Sequence, residues 1–370
     1  MVLSFFKKKK KDTRPAQGAA YYQLLVTEVI HETPDAISIH FENPGQQIQY
    51  KPGQFLSLVF QVDGEEIRRS YSLSTSPYSE NYLGVTVKRL DHGKVSNYIN
   101  ESIQPGDRIQ AMEPKGNFII DVDPAARRNI VLLAGGSGIT PLFSIGKAVL
   151  AREPESRVTL VYQNRNESSI IYKNILDSYQ ARYPDFRILH YLSQPGEGWT
   201  GRKGRISKSD VENIVKDCLG EKDRTPSFYV CGPHGMMETI IDTLLGMGIP
   251  KPDIHKESYV AASTKAAAHE APPALAEEII RREVTIQLNG EEYKIMVEPH
   301  RFILETALDA DINMPFSCQS GLCTACRGKL ISGKVKMDNP DGLSDEEIAQ
   351  GYVLTCVSHP LTDDVVIEIG

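Results

Sequence analysis

The chain has 370 residues, 41% hydrophobic and 24% charged, a composition typical of a globular protein too long for a single ordinary core. No run approaches the roughly 18–20 apolar residues of a membrane helix, and the N terminus lacks the apolar core of a signal peptide. We therefore expect a cytoplasmic protein of two or three domains without a membrane span. The net charge is −7, and the acidic residues concentrate in a C-terminal module on a near-neutral body, which argues against nucleic-acid binding.

Charge is unevenly distributed along the chain. Residues 283–370 contain 6 Lys+Arg and 15 Asp+Glu, a net charge of −9, whereas the remainder carries +2. This predicts an acidic C-terminal module that docks on basic surfaces. The basic run 7–11 is expected to belong to a solvated, disordered tail over residues 1–19, and a weak membrane or partner contact is the alternative.

Residues 20–124 consist of short segments in which apolar and polar residues alternate, separated by Pro-Gly pairs. This pattern predicts an antiparallel β-barrel or sandwich. The predicted strands are Tyr22–Val29, Ala36–Phe41, Phe55–Phe60, Gly84–Arg89 and Arg108–Met112.

Residues 125–259 show apolar runs without clean alternation, separated by helical patterns. Such a sequence favours a parallel α/β sheet with helices on both faces. The predicted strands are Asn129–Ala134, Arg157–Tyr162, Phe186–Tyr191 and Ser227–Cys231, and the predicted helices are Pro141–Ala151, Ile170–Tyr183, Ser207–Val215 and Gly235–Leu245.

Residues 260–281 are rich in Ala, Pro and Glu and predict an interdomain linker. After it, two alternating segments flank Asn289-Gly290, a pair that favours a two-residue β-hairpin turn. A small α+β module is expected over residues 282–370.

Four cysteines in that module have the spacing of a metal centre. Cys318, Cys323 and Cys326 form C-x4-C-x2-C, and Cys356 follows after 29 intervening residues. This is the plant-type spacing of [2Fe–2S] ligands. A structural zinc site is the alternative, but it usually takes paired C-x2-C or Cys/His arrangements.

Two segments carry features of a flavin site. Arg69, Tyr71 and Ser72, between strand-like segments, offer a cation for a pyrophosphate, an aromatic plane for an isoalloxazine ring and a hydroxyl for a ring nitrogen. Further on, Gly93 and Ser96 open the predicted helix Ser96–Ile103, as in a phosphate cradle. The alternatives are a surface strand for the first segment and an ordinary helix N-cap for the second.

Three segments carry features of a nicotinamide site. The sequence from Gly135 to Pro141 (GGSGITP) joins a strand to a helix, as a dinucleotide pyrophosphate requires, although Pro141, suited to a helix N1 position, replaces a third glycine. Arg165, at the end of the next strand, favours NADPH over NADH. The segment Cys231-Gly232-Pro233 follows a later strand and either faces the crevice or forms a tight turn.

In this order, the motifs resemble the ferredoxin–NADP reductase superfamily with a plant-type ferredoxin fused at the C terminus. The resemblance covers residues 20–370. Within the superfamily, segments 65–72, 255–257, 333–337 and 351–356 are similar to reductase components of bacterial phenylacetyl-CoA epoxidases, which act in aromatic compound catabolism. The resemblance implies an FAD-binding β-barrel over 20–124, an NAD(P)-binding α/β domain over 125–259 and a β-grasp ferredoxin domain over 282–370.

The resemblance also implies roles for individual residues. Tyr71 would lie against the flavin ring, with Ser72 near N5 and Cys231 beside the nicotinamide C4. Glu257 and Tyr259 would close the other side of the flavin, although Phe is commoner at the second position and a surface carboxylate is the alternative for the first. Arg69, Gly93, Ser96 and the backbone near Lys88 would hold FAD, and Gly136, Gly138, Thr140, Pro141, Arg165, Gly232 and Pro233 would hold NADPH, with Arg165 at the 2′-phosphate.

The implied function is electron transfer from NADPH to FAD, to the [2Fe–2S] cluster, and then to a partner oxygenase such as a phenylacetyl-CoA epoxidase. The acceptor is expected to dock on an acidic face formed by Asp338, Asp341, Asp345, Glu346 and Glu347. One alternative is a reductase for another oxygenase or for a hybrid-cluster protein. Another is a redox-sensing module whose bound cofactors never turn over.

Overall fold

A computed structural model provides the fold. The predicted basic tail, most of the predicted linker, Tyr259, Cys318 and Cys323 lie outside the residues that it describes. The structure describes residues 21–91, 93–220, 223–258, 280–288, 290–299, 301–310, 312, 314–316, 321, 324–338, 340 and 342–369.

The first domain is an antiparallel β-barrel, as predicted. Its six strands are in the order β4-β3-β6-β1-β2-β5, and a bridge between Leu73 and Val85 connects the two ends of this order. Its elements are β1 Tyr21–Thr33, β2 Ala36–Glu42, β3 Phe55–Val62, β4 Glu65–Ser72, β5 Tyr82–Lys88, α1 Lys94–Ser102 and β6 Arg108–Met112.

Strand β4 is not among the predicted strands, although a surface strand was the alternative for the Arg69–Ser72 segment, and the structure shows that this segment does lie within a strand. Its sequence begins Glu-Glu-Ile-Arg-Arg and lacks alternation, but all eight residues pair with β3. The turn between the strands is Asp63-Gly64, and both residues have positive φ, 53° and 80°. An Asp-Gly pair with this geometry favours a tight hairpin, so the turn was the signal for the strand.

The second domain is a six-stranded, wholly parallel sheet with helices between its strands, also as predicted. The strand order is β10-β9-β8-β7-β11-β12. Its elements are β7 Arg128–Gly135, α2 Ile139–Arg152, β8 Arg157–Asn164, α3 Lys173–Arg182, β9 Phe186–Leu192, β10 Arg202–Lys203, α4 Lys208–Leu219, β11 Thr225–Cys231, α5 His234–Gly246 and β12 Ile254–Glu257.

The strand order reverses beside β7. From β7 the chain proceeds outward through β8, β9 and β10, and then returns to the opposite side of β7 to form β11 and β12. In open α/β sheets, ligands bind at such a switch point, beyond the carboxyl ends of the strands. The glycine-rich loop after β7 and the Cys-Gly-Pro segment after β11 both lie there.

Buried polar contacts join the barrel to the parallel sheet. Lys147 on α2 forms an ion pair with Glu80 of the barrel, and both side chains are largely buried. The neighbouring Ser144 hydroxyl donates to the Thr75 carbonyl at 2.6 Å. Because a buried charge is costly unless it is paired in one geometry, these contacts favour one orientation of the two domains.

The third domain is a small α+β fold with a five-stranded mixed sheet in the order β14-β13-β19-β15-β17. Its central strands β13 and β19 are parallel and the other pairs are antiparallel, which confirms the expected β-grasp type. Its elements are β13 Arg282–Leu288, β14 Glu291–Val297, α6 Ile303–Asp309, β15 Arg327–Ser332, β16 Val335–Met337, α7 Asp345–Ala349, β17 Tyr352–Leu354, β18 Ser358–Pro360 and β19 Val365–Ile369.

The three folds fall within the predicted domain ranges, but the exact boundaries stay predictions. Among the described residues, no helix combines the length and the apolar character needed to cross a bilayer.

Candidate cofactor sites

The loop after β7 has an open side at Gly136. This residue has a φ of +54°, and a Cβ built on it would meet no atom within 4 Å. Helix α2 begins at Ile139, directly after this loop, so its unpaired N–H groups and positive dipole lie next to the open side. These features fit a pyrophosphate.

Three side chains shape this loop. The phenol of Tyr162 on β8 donates to the Gly136 carbonyl at 3.0 Å, a contact that the sequence analysis missed. Thr140 donates through Oγ1 to the Ser137 carbonyl at 3.0 Å. Pro141 is the third residue of α2 rather than the expected N1 residue, but the first turn of a helix still needs no N–H from it.

The Cys231-Gly232-Pro233 segment packs directly against the glycine loop. Cys231 is fully buried at the end of β11. A Cβ on Gly138 would lie 2.9 Å from the Gly232 nitrogen, and a Cβ on Gly232 would lie 2.9 Å from the Gly135 nitrogen. Both glycines are therefore needed for this close backbone approach, so the segment is more than a simple turn into α5.

A carboxylate and a hydroxyl from different domains meet beside Cys231. Ser72, buried at the end of β4, donates through Oγ to Oε2 of Glu257 at 3.3 Å. Glu257 is 3% exposed and pairs with Cys231 in the register of β11 and β12. The alternative of a surface carboxylate for Glu257 is wrong. The fold thus brings together Ser72, Cys231 and Glu257, which are widely separated in sequence.

The two other residues of the predicted flavin motif differ in exposure. Tyr71 is half-buried and packs against the barrel core, and burial raises the pKa of its phenol, which therefore stays protonated at neutral pH. Arg69 is exposed and donates through Nη1 to the Arg68 carbonyl at 2.7 Å. Because side chains alternate along a strand, Arg69 and Tyr71 point to one face of β4 and Ser72 to the other.

The predicted phosphate loop lies between β5 and α1. Gly93 is the N-cap of α1, so the N-cap alternative for this segment holds for Gly93 and not for Ser96. The Ser96 hydroxyl accepts from the Leu90 N–H at 3.1 Å and donates to the Gly93 carbonyl at 3.2 Å. It therefore fixes the shape of the loop. Lys88 ends β5, and its Nζ lies 3.4 Å from a carboxylate oxygen of Asp35.

Arg165 is exposed directly after β8, where the adenosine ribose was expected. The nearby carboxylate of Glu167 is engaged, because both of its oxygens accept from the Gly196 N–H at 3.2 Å. The side chain of Gln163 accepts from the Ile206 N–H at 2.7 Å, which brings the exposed Arg205 toward the same strand end. Arg205 is therefore a further candidate for binding the nucleotide at this strand end. The sequence analysis missed it, although the basic stretch 202–205 was a signal for it.

Two of the four predicted cluster ligands are described, and they lie close together. Cys326 and Cys356 are 2% and 3% exposed. Thr355, next to Cys356, donates through Oγ1 and its backbone N–H to the Cys326 carbonyl at 3.0 and 3.2 Å. Two buried cysteines joined through a short hydrogen-bonded link fit a [2Fe–2S] centre. Cys318 and Cys323 lie outside the described residues.

Most described carboxylates of the predicted acidic face have a cationic neighbour. Asp338 lies 3.7 Å from Lys336 and 3.5 Å from His359, and Glu347 lies 2.8 Å from Arg327. A hydrogen bond from the Ser344 backbone, together with Arg327, lowers the pKa of Glu347. Asp345 lies 4.0 Å from Lys251 of the second domain. Glu346 is exposed, and Asp341 lies outside the described residues.

Three family matches cover the three domains. Residues 23–120 match an oxidoreductase FAD-binding domain, residues 132–242 an oxidoreductase NAD-binding domain, and residues 286–361 a 2Fe-2S iron-sulfur cluster binding domain. The matches confirm FAD, a pyridine nucleotide and a [2Fe–2S] cluster as the cofactors.

Relatives match over nearly their whole length. The E subunit of the 1,2-phenylacetyl-CoA epoxidase of Escherichia coli (strain K12) is 31% identical, with 94% of this chain and 97% of the relative covered. The ferredoxin reductase component of the 3-ketosteroid-9-alpha-monooxygenase of Mycobacterium tuberculosis (strain ATCC 25618 / H37Rv) is 34% identical, covering 94% and 96%.

A solved structure shares the fold. Phthalate dioxygenase reductase superposes with a TM-score of 0.60 at 24% identity, covering 94% of this chain and 98% of that one. Because the three family matches span the three domains and the relatives at 31% and 34% identity cover nearly the whole chain, it belongs to the ferredoxin–NADP reductase superfamily, as a reductase that passes electrons from NAD(P)H through FAD to a [2Fe–2S] cluster.

Proposed function

We propose that this chain is the reductase component of an oxygenase system, that it takes its electrons from NADPH, and that it delivers them singly to a separate oxygenase. The contact between Ser72 and Glu257 beside Cys231 carries the proposal, because it joins the flavin domain to the nucleotide domain at the switch point. When bound, FAD accepts a hydride and releases electrons one at a time, and the cluster carries single electrons.

In this proposal, the protein acts mainly by positioning the nicotinamide and the flavin ring. Cys231 and Glu257 lie on adjacent strands at the crevice, and Ser72 approaches them from the barrel, so the nicotinamide and the flavin ring would be held between buried groups. Orientation and exclusion of water favour hydride transfer.

Tyr71 would pack on the ring and Arg69 would bind the FAD pyrophosphate, while Gly93, Ser96 and the backbone near Lys88 would shape the loop around the FAD phosphates. Tyr259 would close the site.

For the nucleotide, Gly136, Gly138, Thr140 and Pro141 would form the pyrophosphate cradle, with Gly232 and Pro233 packed behind it. The preference for NADPH over NADH is supported by the exposed guanidinium of Arg165 and by the engaged carboxylate of Glu167. A free carboxylate at this strand end would instead favour the ribose hydroxyl of NADH.

The proposed acceptor is an oxygenase that acts on phenylacetyl-CoA, in aromatic compound catabolism, because one component of such an epoxidase is similar over nearly the whole chain. A steroid monooxygenase is the second candidate, favoured by relatives of comparable identity. We propose that the acceptor docks transiently on the acidic ferredoxin domain, whose net charge is −9 from residue 283 onward. A cytoplasmic location stays a prediction.

The test is an anaerobic titration of the reconstituted protein with NADPH and, separately, with NADH, followed by visible absorption and EPR. We expect the flavin band to bleach and a one-electron [2Fe–2S] signal to appear at lower NADPH than NADH. A protein that stays colourless after reconstitution, or whose flavin is not reduced, would contradict the proposal. Turnover with added candidate oxygenases would then identify the acceptor.

A further inference from the structure

The ferredoxin domain contacts the flavin barrel through an aromatic residue next to the cysteine loop. Phe316 lies two residues before Cys318 and packs at the edge of the ferredoxin core. The Arg68 guanidinium of β4 lies over its ring, with 4.5 Å between Cζ and the ring centroid. The same guanidinium lies 6.0 Å from the centroid of the Tyr21 ring on β1. Arg68 therefore links one ring of the barrel with one ring of the ferredoxin domain.

The orientation of Arg68 is fixed from its own strand. Its Nη2 and Nε donate to one carboxylate oxygen of Glu66 at 2.9 and 3.2 Å. The Arg68 side chain is 14% exposed. A cation–π contact is stronger when the cation is shielded from water, and a planar guanidinium stacks on a ring as an ammonium cannot.

A second contact between the two domains also leads to the cysteine loop. The Asn117 side chain of the first domain donates through Nδ2 to the Gly342 carbonyl at 3.3 Å. Gly342 in turn donates through its N–H to the Gly321 carbonyl at 2.6 Å. Gly321 lies between Cys318 and Cys323 in the sequence. Both contacts thus involve described residues that neighbour the predicted ligands Cys318 and Cys323 in the sequence.

The position of Arg68 on β4 relates this loop to the flavin site. Residues four apart on a strand share a face, so Arg68 and Ser72 lie on the same face, about 14 Å apart along the strand. Ser72 is the hydroxyl proposed for the flavin. The contact with Phe316 therefore lies on the strand that also carries Ser72.

We infer that Arg68 is a positioning residue for the transfer between the two redox centres. By holding Phe316, it docks the ferredoxin domain on the flavin barrel for the step in which the NADPH-reduced flavin loses one electron and the oxidised cluster gains that electron. No bond forms or breaks in this step, and the rate of such a transfer falls steeply with the distance between the centres. The inference rests on the proposed function, since it takes Ser72 as a flavin residue.

The experiment compares the full-length holoprotein with three variants in anaerobic stopped flow against NADPH. The variants are Arg68→Ala, Arg68→Lys and, as the matched control, Arg108→Ala, which removes an exposed arginine of the same barrel. Flavin bleaching and cluster reduction are followed separately, by visible absorption and by freeze-quench EPR.

We expect Arg68→Ala to slow cluster reduction about tenfold, because the docked fraction falls when a shielded cation–π contact is lost. Flavin bleaching should keep its rate, Arg68→Lys should recover part of the loss, and the control should match the parent.

A structural measurement independent of turnover accompanies the kinetics. The radius of gyration from small-angle scattering should increase for Arg68→Ala and stay unchanged for Arg108→Ala. If Arg68→Ala loses flavin, Phe316→Leu, which removes the ring from the other side, is expected to give the same selective slowing.

Two results would overturn the inference while leaving the proposed function intact. One is cluster reduction at the parental rate in both Arg68→Ala and Phe316→Leu. The other is an equal slowing of flavin bleaching and cluster reduction, which would indicate general damage to the barrel. Failure of NADPH to bleach the flavin of the parent protein would instead contradict the proposed function.

Discussion

At the scale of single residues, the buried carboxylate of Glu257 is the most informative group. Taking a carboxylate out of water is costly unless it is hydrogen-bonded or paired, so its burial at the end of β12 needs a compensating role. The Ser72 hydroxyl supplies one hydrogen bond across the domain boundary. Its position next to Cys231 in the strand register favours a part in holding the nicotinamide and the flavin ring.

We predict that Glu257→Gln slows flavin reduction by NADPH about tenfold, because a hydrogen bond to a charged group is replaced by a weaker neutral one. The amide keeps the size of the side chain, so the melting temperature should change little. The measurement is stopped-flow bleaching of the flavin at saturating NADPH. Glu238→Gln, on the exposed side of α5, is the control. Equal rates for the parent and Glu257→Gln would show that the carboxylate of Glu257 takes no part in flavin reduction.

Arg165 gives a second residue-scale prediction. Arg165→Ala should weaken NADPH binding on the order of tenfold and leave NADH binding nearly unchanged, because only NADPH carries the 2′-phosphate that the guanidinium would bind. Dissociation constants from flavin-difference titrations with NADP⁺ and NAD⁺ check this. Arg187→Ala, an exposed arginine on β9, is the control. Equal losses of affinity for both nucleotides would show that Arg165 does not bind the 2′-phosphate.

At the scale of elements, the packing of two loops at the ends of β7 and β11 shapes the nucleotide site. The loops approach so closely that side chains are excluded at Gly138 and Gly232. A sequence pattern cannot show this, because the loops are about 95 residues apart in the chain and meet only when β7 and β11 pair.

We predict that Gly138→Ala lowers the free energy of unfolding by about 1–3 kcal/mol, since the added methyl group would overlap backbone atoms of Cys231 and Gly232. NADPH binding should weaken as well, because the loop must shift. Gly235→Ala is the matched control, since its Cβ would meet no atom within 4 Å. Chemical denaturation and nucleotide titration provide the two measurements. A Gly138→Ala protein as stable as the control would show that the loops can separate at little cost.

At the scale of the whole molecule, the three domains are built on separate hydrophobic cores. The barrel and the ferredoxin domain each have one core, and the parallel sheet has one on each face. Cys326 and Cys356 belong to the ferredoxin core, and among the described residues this core contains none of the flavin or nucleotide motifs. Loss of the cluster should therefore leave the first half of the electron path intact.

Cys323→Ser tests this separation. We predict that the variant loses the iron–sulfur absorption and EPR signals but still shows flavin bleaching by NADPH at the parental rate, because a hydroxyl is a poor replacement for a thiolate iron ligand. Cys218→Ser, outside the motif, is the control and should keep the cluster. Unchanged iron–sulfur absorption in Cys323→Ser would refute the ligand assignment.

The sequence by itself determined the three fold types, their order, the cofactor classes and the cluster spacing. These features depend on local patterns: apolar alternation in the barrel, apolar runs between helical segments in the sheet, and fixed cysteine intervals. The alternation of apolar and polar residues did not predict β4. This charged segment forms a strand because it pairs with β3 along its length. Local pattern also placed the start of the first helix at Ser96, whereas α1 begins at Lys94.

Only the tertiary structure decided which distant residues meet. It placed Glu257 in the interior against Ser72, packed the glycine loop against Cys231, and set Arg68 over Phe316. It also paired two carboxylates of the acidic face with distant cations, Glu347 with Arg327 and Asp345 with Lys251. The physical reason is that these contacts join residues far apart in sequence, and strand order and domain packing, rather than any local periodicity, bring them together.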